Sequence, residues 1–195
     1  MQSKTVILKS ILTYQGLSSG YSFRGKIKDI HNGGLRVIQL KDFEENYTVI
    51  GNDCVFIDGE KIKAKNYLEN GDVLFISKGA NNFAIPYKSV DDFPTIASSA
   101  LFVLKVNKEK ANPDFVAWYI NQSKVQNYFK TNESGTYTTS INKATIEQTP
   151  IALPSLETQI KIAEIANLHN KELVINNRLM KLKNKLTTTQ LLNVI

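Results

Sequence analysis

The sequence predicts an α+β fold: a mixed β-sheet domain with packed helices over residues 1–154, then a long C-terminal coiled-coil-forming helix over residues 155–195. Three observations support this division. Residues 1–110 are mostly short runs rich in β-branched and aromatic residues, separated by Gly, Asn and Pro. Asn112 followed by Pro113 is typical of a helix start. From Leu156 to Asn193 the chain contains neither Gly nor Pro, which favours one uninterrupted helix.

The strands come first along the chain. The runs 35–40, 72–77 and 99–106 have strand composition, and the second of them follows the turn dipeptide Asn70-Gly71. A further turn is expected at residues 57–60, and loops are expected at Gly33-Gly34 and at residues 79–86. The lone Cys54 lies among apolar residues and is predicted to be a core residue, while His31 precedes Asn32-Gly33 and is expected in a surface turn.

The helices follow. With Asn112 as N-cap, a helix is predicted to reach about Lys130 and to pack on the sheet through a row of apolar residues at helical spacing, namely Phe115, Trp118, Tyr119, Val125 and Phe129. After a polar loop, residues 141–149 are expected to include a short helix, and residues 150–154 to form an extended link.

The last helix is predicted to start at the N-cap Ser155 and to form a rod of roughly 57 Å at about 1.5 Å per residue. Apolar residues with alternating spacings of three and four form a heptad seam, interrupted only by Glu172: Ile165, Leu168, Ile175, Leu179, Leu182 and Leu186. A seam of about three heptads is marginal alone and favours a partner helix. A second stripe, Leu156, Ile160 and Ala163, is expected to face the globular part.

The amino-acid composition limits the classes of protein to which the chain can be assigned. The net charge, 24 − 18 = +6, favours an anionic partner only weakly. One Cys and two His leave no disulfide framework and no Cys/His zinc cluster. No apolar run is long enough for a membrane span or a signal peptide, so a cytoplasmic protein without membrane contact is expected.

Common catalytic motifs are missing from the sequence: it has no G-x-G-x-x-G, P-loop, G-x-S-x-G or H-E-x-x-H. Residues 112–115 resemble the tetrapeptide of amino-methyltransferases, but Asp114 stands where that motif has Pro, and no Gly-rich cofactor loop accompanies it. A helix start explains the same residues, so we expect no catalytic residue and no metal site in this chain.

Three predicted loops combine basic and hydrogen-bonding side chains. They are residues 21–28, residues 77–82 and residues 135–143. Lys and Arg bind phosphates, while Asn, Gln and Arg can read base edges. A solvated surface explains any single one of these loops about as well, but three on one β-rich domain favour nucleic acid.

Four segments, in this order, resemble the DNA specificity subunit of type I restriction–modification systems: Gly20-Tyr-Ser-Phe-Arg-Gly25, Val37-Ile-Gln-Leu-Lys-Asp42, Leu68-Glu-Asn-Gly-Asp-Val-Leu-Phe-Ile-Ser-Lys-Gly79, and Ile151-Ala-Leu-Pro-Ser-Leu-Glu-Thr-Gln159 with the helix that follows. The resemblance implies a target recognition domain (1–154) that reads half of a bipartite double-stranded DNA site, and a spacer helix (155–195) that sets the distance to the other half. It also implies methyltransferase and restriction subunits as partners. S-adenosylmethionine, ATP and Mg²⁺ are then expected on those partners and not on this chain.

Full-length members of that family carry two recognition domains and two helices, whereas this sequence shows one of each. The resemblance therefore suggests a half-length form that pairs its helix antiparallel with a second copy of itself, through the heptad seam. The residues that we expect to contact DNA are Arg24, Lys26, Lys78, Gly79, Asn81, Asn82, Tyr137, Thr138, Thr139, Ser140 and Lys143.

Three other interpretations compete with this one. The chain could be an orphan or domain-swapping half-subunit, which only neighbouring genes would distinguish. It could be a coiled-coil adaptor whose globular domain binds protein, in which case a stable dimer without salt-dependent DNA binding is expected. A stand-alone methyltransferase is disfavoured by the missing cofactor loop.

Overall fold

A computed structural model of the chain describes residues 4–44, 49–51, 53–60, 62–78, 82–132 and 140–193, and it confirms the α+β class. The strands are β1 (Lys4–Ile7), β2 (Leu12–Ser19), β3 (Leu35–Ile38), β4 (Phe43–Glu44), β5 (Val49–Ile50), β6 (Val55–Ile57), β7 (Asp72–Ile76), β8 (Ala84–Pro86), β9 (Thr95–Ala97), β10 (Leu101–Val106) and β11 (Pro150–Leu153). The α-helices are α1 (Pro113–Ile120), α2 (Ser123–Asn132), α3 (Lys143–Glu147) and α4 (Leu156–Leu192).

A four-stranded antiparallel sheet in the order β2-β10-β7-β8 forms the centre of the globular part. All five residues of the inner strand β7 are buried, as the apolar run from Val73 to Ile76 predicts. The register pairs Leu101 with Ile76, Phe102 with Ser19 and Phe75 with Ala84. The end of β2, the start of β10, the end of β7 and the start of β8 therefore lie at one end of this sheet, called below the loop end.

A smaller sheet in the order β6-β3-β9 lies beside the first, with β3 antiparallel to β6 and parallel to β9. The inward residues of these strands form their own apolar cluster, with Val37 and Ile96 fully buried. The strand predicted over residues 35–40 ends at Ile38, because a 3-10 turn over Leu40–Asp42 follows it.

The helix predicted from Asn112 to about Lys130 is divided into α1 and α2. Asn112 is the N-cap as predicted, since its side chain accepts a 2.9 Å hydrogen bond from the Phe115 N–H. The division falls at Asn121 and Gln122, whose side chains bond to backbone groups. Such bonds compete with continued helix.

The two short helices pack on the sheet through the predicted apolar residues. Phe115, Val125 and Phe129 are buried, and the rings of Phe129 and Phe75 lie 5.2 Å apart between centroids. Trp118 and Tyr119 are partly buried at the edge of the same cluster. The buried Cys54 is a core residue, as predicted.

The segment expected as an extended link is strand β11, and it pairs with β1 in a two-stranded antiparallel sheet. Ser155 caps α4 as predicted, accepting a hydrogen bond from the Thr158 N–H. The 37 residues of α4 correspond to about 56 Å.

The stripe predicted to face the globular part is only partly correct. Ala163 is buried, but Leu156 is 37% exposed and Ile160 44% exposed. The deeply buried neighbour is Gln159, whose side chain accepts a 2.9 Å hydrogen bond from the Asn112 N–H and donates one to the Pro154 carbonyl. A polar residue lies inward here because the start of α1 offers an unpaired N–H, and only a side chain with both a donor and an acceptor serves both partners.

Within the described residues, no helix is both long and apolar enough to cross a membrane.

Candidate nucleic-acid interface

The two polar loops predicted to contact DNA meet at the loop end of the four-stranded sheet. Lys78 and Ser140 form an isolated antiparallel β-bridge, and the Ile141 N–H donates a 2.9 Å hydrogen bond to the Ser77 carbonyl. Residues 62 positions apart in the sequence are thereby adjacent. Lys78, with an exposed side chain, lies two residues after the end of β7.

Lys143 lies close to this bridge in the sequence, at the first position of α3. Asn142 caps α3 by accepting a 2.9 Å hydrogen bond from the Thr145 N–H, which fixes the direction in which the loop enters the helix. The Lys143 side chain is about half exposed, with its ammonium 3.8 Å from a Glu147 carboxylate oxygen. Glu147 lies nearer to Lys9, with 3.0 Å between the ammonium and a carboxylate oxygen, so its longer contact with Lys143 leaves the Lys143 ammonium available to a stronger anion.

Asn82 does not lie on the surface. It is 7% exposed, and its side-chain carbonyl oxygen has no hydrogen-bond donor among the residues that the structure describes. Its backbone carbonyl accepts a 2.8 Å hydrogen bond from Gln126. Asn82 thus anchors one side of the loop rather than presenting an amide to solvent.

Arg24 and Lys26 are exposed, and they lie apart from the Lys78–Ser140 bridge, in the segment that follows β2. The segment starts at the loop end of the four-stranded sheet, where β2 ends, and the bond from the Tyr21 N–H to the Ala97 carbonyl then joins it to β9 of the smaller sheet. It then runs along the smaller sheet with Tyr21, Phe23 and Ile27 packed inward, while the cationic side chains are exposed to solvent. Gly25 between the two cations has a φ of +101°, a conformation that favours glycine.

Five of the predicted contact residues, Gly79, Asn81, Tyr137, Thr138 and Thr139, lie outside the described residues. Their neighbours Lys78, Asn82 and Ser140 fix where the two loops begin or end.

The six seam residues of α4 are all exposed, between 46% for Leu179 and 69% for Ile165. Leu168 is nine residues from the buried Gln159, which is about two and a half helical turns, so Leu168 lies on the opposite side of α4 from the globular part. Apolar residues in a row on an exposed helix favour a partner helix.

Sequence reasoning missed three side chains that hold the strands in place, two near the loop end and one on the smaller sheet. The side chains of Asn121 and Gln126 bond to the backbone of the β7–β8 connection, and Arg36 lies over the ring of Phe56 at 5.3 Å. Arg36 also bonds to Asp91, and this hydrogen bond lowers the pKa of the Asp91 carboxyl below its ordinary value. The outward alternation of Arg36 between Leu35 and Val37 is visible in the sequence, but no local pattern marks its partners or those of the two amides.

At the opposite end of the sheet, polar side chains form a network of hydrogen bonds and ion pairs that stabilises the fold. Asp72 accepts a hydrogen bond from the Glu69 N–H and lies 3.3 Å from the Lys105 ammonium. Burial raises the pKa of the Asp72 carboxyl, although these two contacts oppose the shift. This network stabilises the Asn70-Gly71 turn. The candidate DNA-contact residues Lys78 and Ser140 lie at the other end of the sheet.

Comparison with known proteins gives the family. A family model described as the type I restriction modification DNA specificity domain matches residues 3–188. The chain belongs to this family. No curated protein matches the chain.

Solved structures agree with this specificity domain in fold. The HsdS subunit from Thermoanaerobacter tengcongensis has a TM-score of 0.64 at 16% identity, over 90% of this chain and 44% of that one. A chain from a study of complex assembly and conformational transition of the type I R-M system has a TM-score of 0.65 at 14% identity, over 90% and 44%. The S subunit from M. genitalium has a TM-score of 0.55 at 11% identity, over 86% and 39%. The chain therefore matches less than half the length of each of these three proteins.

Proposed function

We propose that this specificity domain recognises one half of a bipartite double-stranded DNA site and directs methyltransferase and restriction subunits to it. The observation that carries the proposal is the Lys78–Ser140 bridge, which joins two polar loops into one surface on a domain of this family. Catalysis belongs in this proposal to the partner subunits, with S-adenosylmethionine, ATP and Mg²⁺ bound there.

The chemistry of the loop end suits a duplex. Lys78 and Lys143 have exposed ammonium groups that match phosphate oxygens, and the hydroxyl-bearing Ser140 lies beside Lys78. The sequence of the two segments that follow Lys78 and precede Ser140 also contains the amide of Asn81 and the hydroxyls of Tyr137, Thr138 and Thr139, groups of the kinds that read base edges. Arg24 and Lys26 follow β2, which ends at the same end of the sheet, and offer a second pair of exposed cations along the smaller sheet.

A selection from random duplexes with the wild-type chain tests this proposal. We expect an enriched sequence motif, and we expect Lys78→Ala to weaken binding to all duplexes with a smaller dependence on salt. Each phosphate contact contributes about 0.9 to the slope of log K against log salt, so a two-fold dimer that loses two contacts should lose about 1.8. Lys108→Ala, which removes an exposed lysine at the opposite end of the sheet, is the matched control. Selection of no motif, or equal slopes for the two variants, would contradict the proposal.

We further propose that two copies pair antiparallel through α4. The exposed seam supports pairing, and the charges of α4 support the antiparallel direction. All its acidic residues, Glu157, Glu164 and Glu172, precede Leu173, whereas the later charged residues are Arg178, Lys181, Lys183 and Lys185. Antiparallel pairing brings the cationic half of one helix beside the half of the other that contains the acids, while parallel pairing superimposes the cations.

A two-fold dimer presents two identical readers, so the selected DNA should contain two inverted half-sites around an unspecified gap. Light scattering should give twice the mass of one chain. Binding to a type I methyltransferase subunit, measured by co-elution with and without the DNA site, tests the partner assignment.

The same experiments distinguish the alternative functions from the proposed one. A protein-binding adaptor dimerises but gives no selected DNA motif. An orphan or domain-swapping half-subunit selects a motif and binds a methyltransferase encoded elsewhere in the genome.

A further inference from the structure

We propose that Glu172 fixes the register of two antiparallel copies of α4, so that Leu168 of one copy lies opposite Leu186 of the other. The inference rests on the proposed pairing of two copies and adds which residues meet across it. The register has a consequence for function, because it sets the separation of the two reading surfaces along the helix pair.

Glu172 occupies a position of the apolar seam of α4. It follows Leu168 by four residues and precedes Ile175 by three, the same alternation that relates the apolar residues of the seam. Its side chain is 68% exposed in the single chain, where the His169 Nδ1 lies 3.6 Å from a carboxylate oxygen. An exposed pair of this kind contributes little. Pairing of two copies removes the Glu172 carboxylate from water, so the residues of the other copy that surround it decide the cost.

The apolar residues of the seam do not choose a register by themselves. Because the seam repeats every seven residues, alternative registers differ by one heptad. Three antiparallel registers place two different pairs of apolar residues opposite each other. The first includes Ile165 opposite Leu182, the second Leu168 opposite Leu186, and the third Ile175 opposite Leu186.

The first and third registers place charges of one sign together. In the first register Glu172 lies opposite Ile175, so the two Glu172 carboxylates of the dimer are offset by only about 4.5 Å along the helix axis and repel each other. In the third register Glu172 lies opposite Thr189. The cationic residues 178–185 of the two copies then lie beside each other.

In the second register each Glu172 lies opposite Leu182 of the other copy, in the most cationic part of α4. Arg178, Lys183 and Lys185 flank the seam there, and all three are exposed in the single chain. The described part of α4 contains no acidic residue after Glu172, and the two Glu172 carboxylates are about 15 Å apart along the axis. The second register thus surrounds each acid with cations of the other copy and separates the two acids.

Disulfide cross-linking of the full-length chain tests the register. In the double variant Leu168→Cys with Leu186→Cys, the two sulfur atoms lie opposite each other only in the second register. In the other two registers the same positions are about 10.5 Å out of step, too far for a disulfide. We expect mild oxidation to give a cross-linked dimer, whereas the matched pair Ile165→Cys with Leu182→Cys, which is opposite only in the first register, should give little. The chain without new cysteines controls for cross-linking through the buried Cys54.

Replacement of Glu172 should remove the choice between registers. Glu172→Leu completes the apolar seam, so the first and second registers become equivalent in apolar burial. The ratio of the two cross-linking yields should then fall from about tenfold or more to near one. Glu164→Leu replaces an acid of the same helix outside the seam and should keep the ratio found with Glu172 and Glu164 both present.

Binding to DNA gives a second measurement. A change of register by one heptad moves the two globular parts by about 10.5 Å, which corresponds to roughly three base pairs. With selected half-sites separated by gaps of increasing length, Glu172→Leu should therefore accept a second gap that the wild-type dimer rejects, while Glu164→Leu should not.

A wild-type dimer that cross-links through the Ile165 and Leu182 positions, through both pairs equally or through neither pair would overturn the register while dimerisation stands. An unchanged yield ratio in Glu172→Leu would show that Glu172 does not select it. If light scattering shows a wild-type monomer, the pairing of two copies and this inference are both refuted, whereas the selection from random duplexes still tests DNA recognition by the single chain.

Discussion

Replacing Leu179 by Asp places a carboxylate in the middle of the apolar seam of α4. Leu179 is 46% exposed and makes no part of the globular core, so the substitution should leave the fold of the single chain intact. In a two-fold dimer, however, both copies carry the change. We therefore expect a wild-type dimer and a folded Leu179→Asp monomer.

The expected loss of dimer stability follows from the exposed fraction of the Leu179 side chain. Full burial of a Leu side chain is worth about 1.5–3 kcal/mol, so covering the exposed half of Leu179 contributes roughly 1 kcal/mol per copy. The lost burial alone weakens a dimer by about 2 kcal/mol, which is roughly 30-fold in dissociation constant. Two carboxylates removed from water at the seam add a further cost of similar or larger size.

Light scattering over a concentration series measures whether each variant is a dimer or a monomer, and circular dichroism measures whether its helix content is unchanged. Asn177→Asp is the matched control, because Asn177 is an exposed residue two positions away and is not in the seam. A wild-type monomer would refute the pairing of two copies. A Leu179→Asp variant that stays dimeric, or an Asn177→Asp variant that dissociates equally, would show that the seam is not the contact.

Two further predictions concern the globular part. Phe129→Ala removes a fully buried ring that packs on Phe75, so urea unfolding should show a loss of about 3–5 kcal/mol in the free energy of unfolding, whereas Lys130→Ala next to it should cost less than about 0.5 kcal/mol. Burial raises the pKa of the Cys54 thiol to about 11 from an ordinary value of 9.0, so its thiolate fraction near pH 8 should be about a hundredfold below that of the unfolded chain. The rate of its reaction with a disulfide reagent, compared with and without urea, measures this, and equal rates would contradict the burial of Cys54.

Local signals predicted much of the fold. The caps Asn112 and Ser155 act through residues three positions away, and the seam of α4 depends only on helical spacing, so neighbouring residues carry all the information. The break between α1 and α2 has no such signal, because apolar spacing continues through it while the Asn121 amide at the end of α1 bonds to a distant strand. Spacing alone assigns Leu156 and Ile160 to the inward face, but Gln159 meets the unpaired N–H of Asn112 and sets the orientation of the helix.

The sequence by itself determined which loops carry cations, which helix carries apolar residues at heptad spacing, and which family the chain resembles, because all three depend on residue type and short-range order. Only the tertiary structure decided which loops share a surface. Lys78 meets Ser140 from 62 positions away, and Asn82 is buried and bonded to Gln126 from 44 positions away. Such pairs form because the sheet and the helices on it bring their ends together, and the hydrogen bonds at those ends exist only once the core between them has packed.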